Sequence, residues 1–306
     1  MIKRQKNKPL RWRTQPPAPE SACRPLLSLF AIPKPQQGET ARIQANAIHS
    51  WARLAPHVEI FLFAAPDDED LVRLAEHTGC RLIVLDKLAD GAVPKLDDAF
   101  RQFHQLARGD VLAYANADMV FDSRLLEVAD QLRDSGLDSY VAIGQRTDLP
   151  VPQVVEMGNQ AAWNGLFARA ELHGKRASVV CKDYFLFSRD MYRDIPAFLV
   201  GRGNWDNWMV HRAHQQGVPV IDLTARLPAI HQSHDYQHVA GGRWAAYVNG
   251  SDARYNERLA GGRHLWRGSM ANWALTEDGP VRRRAAWLRL VTDGPRFLRL
   301  MRDLLL

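Results

Sequence analysis

Between Pro25 and Ala115 the chain alternates four times between a short run that is apolar on both faces and a stretch with helical periodicity. Pro25–Ile32, Val58–Ala64, Arg81–Leu85 and Val111–Ala115 are the apolar runs. Strands of that kind belong inside a parallel sheet covered by helices on both sides. The intervening stretches carry helix signals. Thr40–Leu54 places Ile43, Ala47, Ile48, Trp51 and Leu54 on one stripe. Asp67 can cap a helix running to about His77, which Gly79 ends. Pro94 opens another through Ala107, with Leu96, Phe100, Phe103 and Leu106 facing in, and Gly109 stops it. Four strand–helix repeats with short connections predict an α/β domain with a mostly parallel, doubly wound sheet.

The fourth run ends in two polar residues, Asn116 and Asp118. Two positions apart on extended backbone, they point to the same side. They stand where an interior strand ends, the edge at which open α/β sheets bind ligands. Such an oxygen pair suits a hard cation that keeps several water positions and bridges to phosphate oxygens. The spacing equally suits Asp118 as a cap before the helix expected over Ser123–Arg133. The first strand–turn carries neither Gly-x-Gly-x-x-Gly nor Gly-Lys-Ser/Thr, so a nucleotide here would be held differently, most simply through a metal.

Beyond Arg133 the pattern loosens. Tyr140–Gly144 reads as a strand, and residues 145–178 as a long irregular region with an aromatic-polar patch, Trp163–Phe167. Residues 179–187 read as a strand carrying Asp183, which needs a partner such as Lys182 or Arg189. A short helix is expected at Met191–Phe198 and a longer one from Trp205 to about Gln216, with Asp206 at its start beside Trp205 and Trp208. Those indoles would offer apolar faces to a sugar, or else lie in the core with Asp206 as a cap. Val218–Leu223 is a further strand, and His231, His234 and His238 follow. With His211 and His214 they invite a zinc reading, which the lack of His-Glu-x-x-His and of neighbouring cysteines opposes.

The 306 residues allow one large domain or two small ones, and the +6 net charge is concentrated at the ends. Residues 1–24 form a basic, Pro-rich arm expected to be disordered. Residues 280–306 mix seven arginines with apolar residues such as Trp287, Leu290, Phe297 and Leu298. That composition suits a helical tail lying on an anionic membrane, or packed on the domain or on a second subunit. No apolar run approaches the roughly 20 residues of a bilayer span, and the basic N-terminus lacks a secretory h-region. Three scattered cysteines fit a reducing compartment. The acidic middle, without a recognition motif, argues against nucleic acid.

Several pieces occur in a telling order: Ala107-Arg-Gly-Asp110, Asn116-Ala-Asp118, Trp205-Asp-Asn-Trp208, Gly217-Val-Pro-Val-Ile-Asp222 and Ile230-His-Gln-Ser-His-Asp-Tyr236. Over roughly residues 26–238 the chain resembles GT-A type glycosyltransferases, among them glycosyltransferase-like proteins of bacteria and plants. The resemblance implies a nucleotide-diphospho-sugar transferase sheet over 25–239, a cap or lid at 240–279, and the tail beyond. It implies Mn²⁺ or Mg²⁺ held by Asp118 and Asn116 with a late histidine, His231 or His234. Donor contacts would come from Asp67, Lys95, Asn116 and Asp118, the base would be Asp206, and the acceptor side would use Trp205, Asn207, Trp208 and Asp183. Partners would be a nucleotide sugar and a glycan, lipid-linked or small-molecule acceptor, in the cytoplasm with a peripheral membrane contact through the tail. Two departures stand out: Asn116 replaces the first Asp of the Asp-x-Asp motif, and Asn207 follows Asp206 where some relatives have Glu-Asp. A sugar nucleotidyltransferase of the same fold is one rival, opposed by the absence of a Gly-rich basic loop after the first strand. A catalytically inactive glycan- or nucleotide-binding scaffold is the other, and Asn116 keeps it open.

Overall fold

The computed structural model describes residues 24–64, 68–85, 93–178, 180–233, 250–262 and 271–283. The elements run β1 (Leu27–Ala31), α1 (Gly38–Ala52), β2 (Val58–Ala64), α2 (Glu69–Thr78), β3 (Arg81–Val84), α3 (Leu96–Leu106) and β4 (Val111–Ala115). They continue with β5 (Met119–Val120), α4 (Arg124–Arg133), β6 (Val141–Ile143), β7 (Thr147–Leu149), α5 (Gln160–His173), β8 (Lys175–Arg176) and β9 (Tyr184–Phe187). Then come α6 (Trp205–Gln215), β10 (Val220–Asp222), β11 (Ile230–Gln232), α7 (Ser251–Leu259), β12 (Trp273–Thr276) and β13 (Gly279–Arg282).

The main sheet has nine strands in the order β13-β12-β10-β6-β9-β4-β1-β2-β3. β1 pairs in parallel with β2 and β4, β2 with β3, and β10 with β6 and β12. β9 runs against both its neighbours, β4 and β6, and β13 closes a hairpin on β12. The α/β, mostly parallel arrangement therefore stands, with one reversed strand at its centre. Alternation along the strands feeds two cores. Leu27, Leu29 and Ala31 pack with Ile48 and Trp51 of α1 and Leu125 and Val128 of α4. Phe30, Phe61 and Phe63 pack with Phe100 and Phe103 of α3 and Met209 and Val210 of α6. Helices on both faces are what strands with no polar side require.

Reversing β9 has a consequence for the site. Its start, not its end, lies at the edge where β1, β4 and β6 finish, since Ala115 pairs with Tyr184. Residues just after β1, β4 and β6 and just before β9 therefore gather there.

A second sheet of four short strands, β5-β11-β7-β8, sits beside the first. Two fully buried amides lock it to α1. Asn46 Nδ2 donates to Gln232 Oε1 at 2.9 Å and to Gln153 O at 3.0 Å, and Gln232 Nε2 donates to Ile43 O at 2.7 Å. The loop after β4 is fastened likewise: Trp51 Nε1 donates to Met119 O at 2.9 Å, and Phe121 N donates to Ser50 Oγ at 3.2 Å.

Several local expectations need correction. Asp68, not Asp67, caps α2, accepting from Leu71 N at 3.0 Å. Met191–Phe198 forms turns rather than a helix, and Phe198 O accepts from Leu96 N at 2.8 Å. The stretch 145–178 is structured as β7, α5 and β8. The tail does not begin as a helix, because residues 280–282 lie in β13. Asp67, His234, His238, the arm up to residue 23 and the tail from residue 284 lie outside the described residues. Among the described residues no helix is long and apolar enough to cross a membrane.

Candidate active site at the carboxyl edge of the sheet

Asn116 leaves β4 with its backbone tied to the neighbouring strand, its N–H donating to Asp183 O at 2.8 Å. Its side chain is committed twice. Oδ1 accepts from the Tyr114 hydroxyl at 2.9 Å, and Nδ2 donates to Asp183 Oδ1 at 3.0 Å. Asp118 lies two residues on, and its carbonyl accepts from Gln232 N at 3.2 Å. The carboxylate of Asp118 approaches His231 Nε2 at 3.5 Å, while His231 Nδ1 meets Asp148 Oδ1 at 2.8 Å. Asp148 Oδ1 also accepts from Arg146 Nε at 2.9 Å, and Arg146 Nη1 reaches Asp183 Oδ1 at 2.7 Å. A continuous polar ladder results: Asp118, His231, Asp148, Arg146, Asp183, Asn116.

Burial makes these contacts matter. The side chains of His231, Arg146 and Asp183 expose 7%, 12% and 13% of their surface, against 31% for Asp148. Burial works against the His231 imidazolium, but Asp118 and Asp148 outweigh it and lift its pKa to about 9. Burial likewise works against the Asp148 carboxylate, and its contacts with His231 and Arg146 override it to leave the pKa lowered. The Tyr114 hydroxyl is pushed up by burial first and then by Asp118, Asp183 and Asp206, so all three carboxylates surround it.

Asp206 enters from the start of α6, behind Asn204 in a left-handed conformation at φ 83°. Its carboxylate stands 3.8 Å from the Lys182 ammonium and keeps 21% of its surface open. Burial raises its pKa, with Lys182 and the N–H of Asn207 opposing. Lys182, 1% exposed, donates to Val180 O at 2.8 Å. Lys34, just past β1, is a further cation at this edge; partial desolvation lowers its pKa, Asp118 opposing and Arg202 adding to the fall.

The edge thus brings together Asn116, Asp118, Asp183, His231 and Asp206. Lys95 is exposed at the start of α3, bridged through its backbone to Leu199, and makes no hydrogen bond or ion pair with the ladder among the described residues. Trp205 is a core residue at 5% exposure, its ring edge-on to Tyr114 at 5.2 Å, so it offers no open face to a sugar. Trp208, half-buried, packs on Phe198 at 5.4 Å and lines a cavity of about 320 Å³ with Tyr192 and Arg212, which none of the ladder carboxylates lines. Asn207 Nδ2 reaches Asp206 Oδ1 at 3.4 Å. The partner of Asp183 is Arg146, neither Lys182 nor Arg189; Arg189 instead donates to the carbonyls of Gly109 and Ala107. Arg146, Asp148 and Lys34 were not singled out from sequence. The Arg146-Thr-Asp148 alternation was the available signal for the first two.

As a metal centre the donor set is partial. Among the described residues no group of three His, Cys, Asp or Glu is arranged to hold an ion, which leaves the clustered-histidine zinc reading without support there. Asn116 is spoken for by Tyr114 and Asp183. Asp118 offers a carboxylate oxygen to a hard divalent cation, whereas His231 becomes a ligand only by giving up its Nε2 proton, which its raised pKa opposes. Asp148 on Nδ1 leaves Nε2 aimed at Asp118, the carboxylate–histidine arrangement that orients a metal-ligating imidazole.

No family model matches the sequence, and no curated protein matches it. Solved structures do align. S. aureus TarS in complex with UDP-GlcNAc is 15% identical, with 76% of this chain and 65% of that one covered at a TM-score of 0.48. Glucosyl-3-phosphoglycerate synthase from Mycobacterium tuberculosis, in complex with Mn²⁺, UDP-glucose and phosphoglyceric acid, is 13% identical, covering 78% and 80% at 0.46. A mycobacterial protein is 13% identical, covering 68% and 65% at 0.40.

Proposed function

We propose that this chain is a GT-A type glycosyltransferase that moves a sugar from a nucleoside diphosphate to a hydroxyl-bearing acceptor. One observation carries the reading. A carboxylate and an imidazole, Asp118 and His231, meet at the carboxyl edge of a doubly wound sheet, with a second carboxylate, Asp206, 21% exposed at the same edge, and both carboxylates act on the buried Tyr114 hydroxyl. Asp118, joined by His231 once its Nε2 has lost its proton, would hold Mn²⁺ or Mg²⁺, which supplies positive charge for the departing diphosphate. Asn116 acts as a positioning residue, fixing Asp183 and Tyr114 rather than binding metal. Asp206 takes the proton of the acceptor hydroxyl as that oxygen attacks the sugar. Burial strengthens it as a base, and Lys182 keeps it ionised. Asp183 is ion-paired and so serves the architecture of the acceptor side.

A thermal-shift screen of nucleoside diphosphates with and without Mn²⁺ tests this. A nucleotide at 100 times its Kd stabilises the fold by about 2.7 kcal/mol. One nucleotide should do so in the presence of metal, and Asp118→Ala should abolish the effect. If no nucleotide stabilises the protein, the proposal fails. The commitment of Asn116 to Tyr114 and Asp183 favours a second reading, a glycan- or nucleotide-binding scaffold without turnover. Donor binding with no transfer across an acceptor panel would select it.

A further inference from the structure

The small sheet has two sides. Asp148 of β7 and His231 of β11 point into the polar ladder, whereas their neighbours Thr147 and Ile230 line a cavity of about 890 Å³. Successive side chains of a strand point to opposite faces, so two strands of three residues each divide the two spaces. No residue of the polar ladder lines the cavity. Its other walls are the residues just after α1, a face along the length of α5, the start of α4 and residues from the segment 224–229. The volume falls in the range of small-molecule sites.

The lining is cationic and amide-rich. Arg53 lies 4.9 Å over the Trp163 ring and donates to Gln160 Oε1. Arg124 lies 5.8 Å from the centre of Phe167, one turn further along α5. Arg176 of β8 pairs in register with Thr147 and so shares its face. Two carboxylates line the cavity: Asp122, gripped by Arg124 with Nε at 2.8 Å, and Glu171 of α5. Neither Arg53 nor Arg176 forms an ion pair among the described residues. Partial burial lowers the pKa of Arg53, with Asp122 opposing.

We propose that this cavity binds an anionic sugar unit, a carbohydrate carrying a phosphate or carboxylate, as a site separate from the crevice. Arg53 and Arg176 supply planar forks that match a carboxylate or phosphate in two hydrogen bonds each. Gln145, Asn164 and Thr147 offer donors and acceptors for ring hydroxyls, and the half-buried Phe167 offers an apolar face to sugar C–H groups. Both a free sugar phosphate and a charged unit within a polymer carry this chemistry. The inference does not depend on the transfer reaction proposed above.

Isothermal titration calorimetry on the full chain tests it, with glucose 6-phosphate, glucuronate, a glucuronate-containing tetrasaccharide, glucose and inorganic phosphate as titrants. Glucose 6-phosphate and glucuronate should bind saturably, and glucose or phosphate alone at least tenfold more weakly. The tetrasaccharide binding tenfold tighter than glucuronate identifies a polymer as the source; equal affinities identify the free sugar. Arg53→Gln and Arg176→Gln should each weaken binding at least tenfold, and Asp118→Ala should leave it unchanged. Arg176 is exposed on a two-residue strand, so its substitution removes charge without disturbing the core, and a thermal melt verifies this. Absence of saturable binding, equal binding of glucose, or loss in Asp118→Ala but not in the arginine variants would each overturn the proposal.

Discussion

Arg146→Met deletes the central cation of the polar ladder while keeping most of the side-chain volume. Two carboxylates then lose their partner: Asp183, 13% exposed and 2.7 Å from Nη1, and Asp148, 31% exposed and 2.9 Å from Nε. A surface pair would be worth about 0–1 kcal/mol. Removing one member of a buried pair costs about 3–5 kcal/mol, because the remaining charge is left dry. Asp183 belongs to the second class. Asp148 is intermediate, since it stays partly wet and keeps His231 at 2.8 Å. The expected loss is therefore near the lower bound, about 3 kcal/mol. A chain of ordinary stability, about 5–15 kcal/mol, stays folded after it. Urea unfolding followed by tryptophan fluorescence measures the difference. Arg146→Met with Asp183→Asn should recover about half of the loss, since the amide oxygen still accepts from Asn116 while the stranded charge is gone. The pH dependence has a definite sign. The lowered pKa of Asp148 means that the fold binds fewer protons there than the unfolded chain, so this stabilisation is present above the ordinary value of 3.8 and is lost as pH falls through the lowered one. The penalty for Arg146→Met should accordingly shrink below about pH 4. A loss under about 1 kcal/mol at neutral pH, or strict additivity of the two substitutions, would refute the buried-ladder argument.

Gly109→Ala would place a Cβ 2.5 Å from Ser28 N and 2.7 Å from Leu27 C, both backbone atoms that cannot rotate away. The urea midpoint should fall by the equivalent of about 3 kcal/mol, the upper range for overpacking, and an unchanged midpoint would contradict the close approach of β1 and the turn before β4. The pKa of His104 is depressed to about 4 by burial and then by Arg193 and Arg189. The fold thus prefers neutral imidazole, and its stabilisation is complete above the ordinary pKa of 6.5 and is lost as pH falls toward 4. His104→Gln should flatten the stability curve in that window, and parallel curves for the two proteins would show that His104 does not drive it. Asp206→Asn should leave nucleotide stabilisation intact and reduce transfer at least a hundredfold, as the loss of a positioned base does; unchanged turnover would remove Asp206 from the reaction.

The first half of the main sheet was legible because β1, β2 and β4 are five to seven residues long and almost wholly apolar, interrupted only by Ser28 and Glu59, a signal that local reading captures. The reversed direction of β9 was not, since Tyr184–Phe187 is equally apolar in either orientation. The small sheet was invisible for a different reason. Its strands have two or three residues, less than two periods of alternation, and their pairing is long-range: His231 meets Asp148 across 83 positions. Asp118, Asp206 and His231 could be nominated from sequence, but their electrostatic partners Arg146 and Asp148 lay in a stretch read as irregular. In that stretch Trp163, Leu166 and Ala170 do mark one face of α5, and all three are buried. The choice between Asp67 and Asp68 as cap rests on a backbone angle that two adjacent aspartates do not reveal.

The charge balance of the crevice bears on how a donor enters. Four carboxylates, Asp118, Asp148, Asp183 and Asp206, are met by Arg146 and Lys182 inside the protein and by His231 between two of them. Those cations are already engaged, and moving one toward a diphosphate would strand a carboxylate at the cost estimated above for Arg146. Lys34 is a further ammonium near Asp118, on a residue that is exposed overall, and one lysine does not neutralise a diphosphate. A nucleoside diphosphate therefore needs a cation that arrives with it, and a cation needs the oxygens that the nucleotide brings, because Asp118, even with His231 stripped of its Nε2 proton, fills at most two positions of a shell that prefers six. Each should promote the binding of the other. In the thermal-shift experiment Mn²⁺ alone and nucleotide alone should each raise the midpoint little, and the two together by more than the sum. Strictly additive shifts would mean that the diphosphate finds its countercharge in the protein itself, and the role assigned to Asp118 would fall with that result.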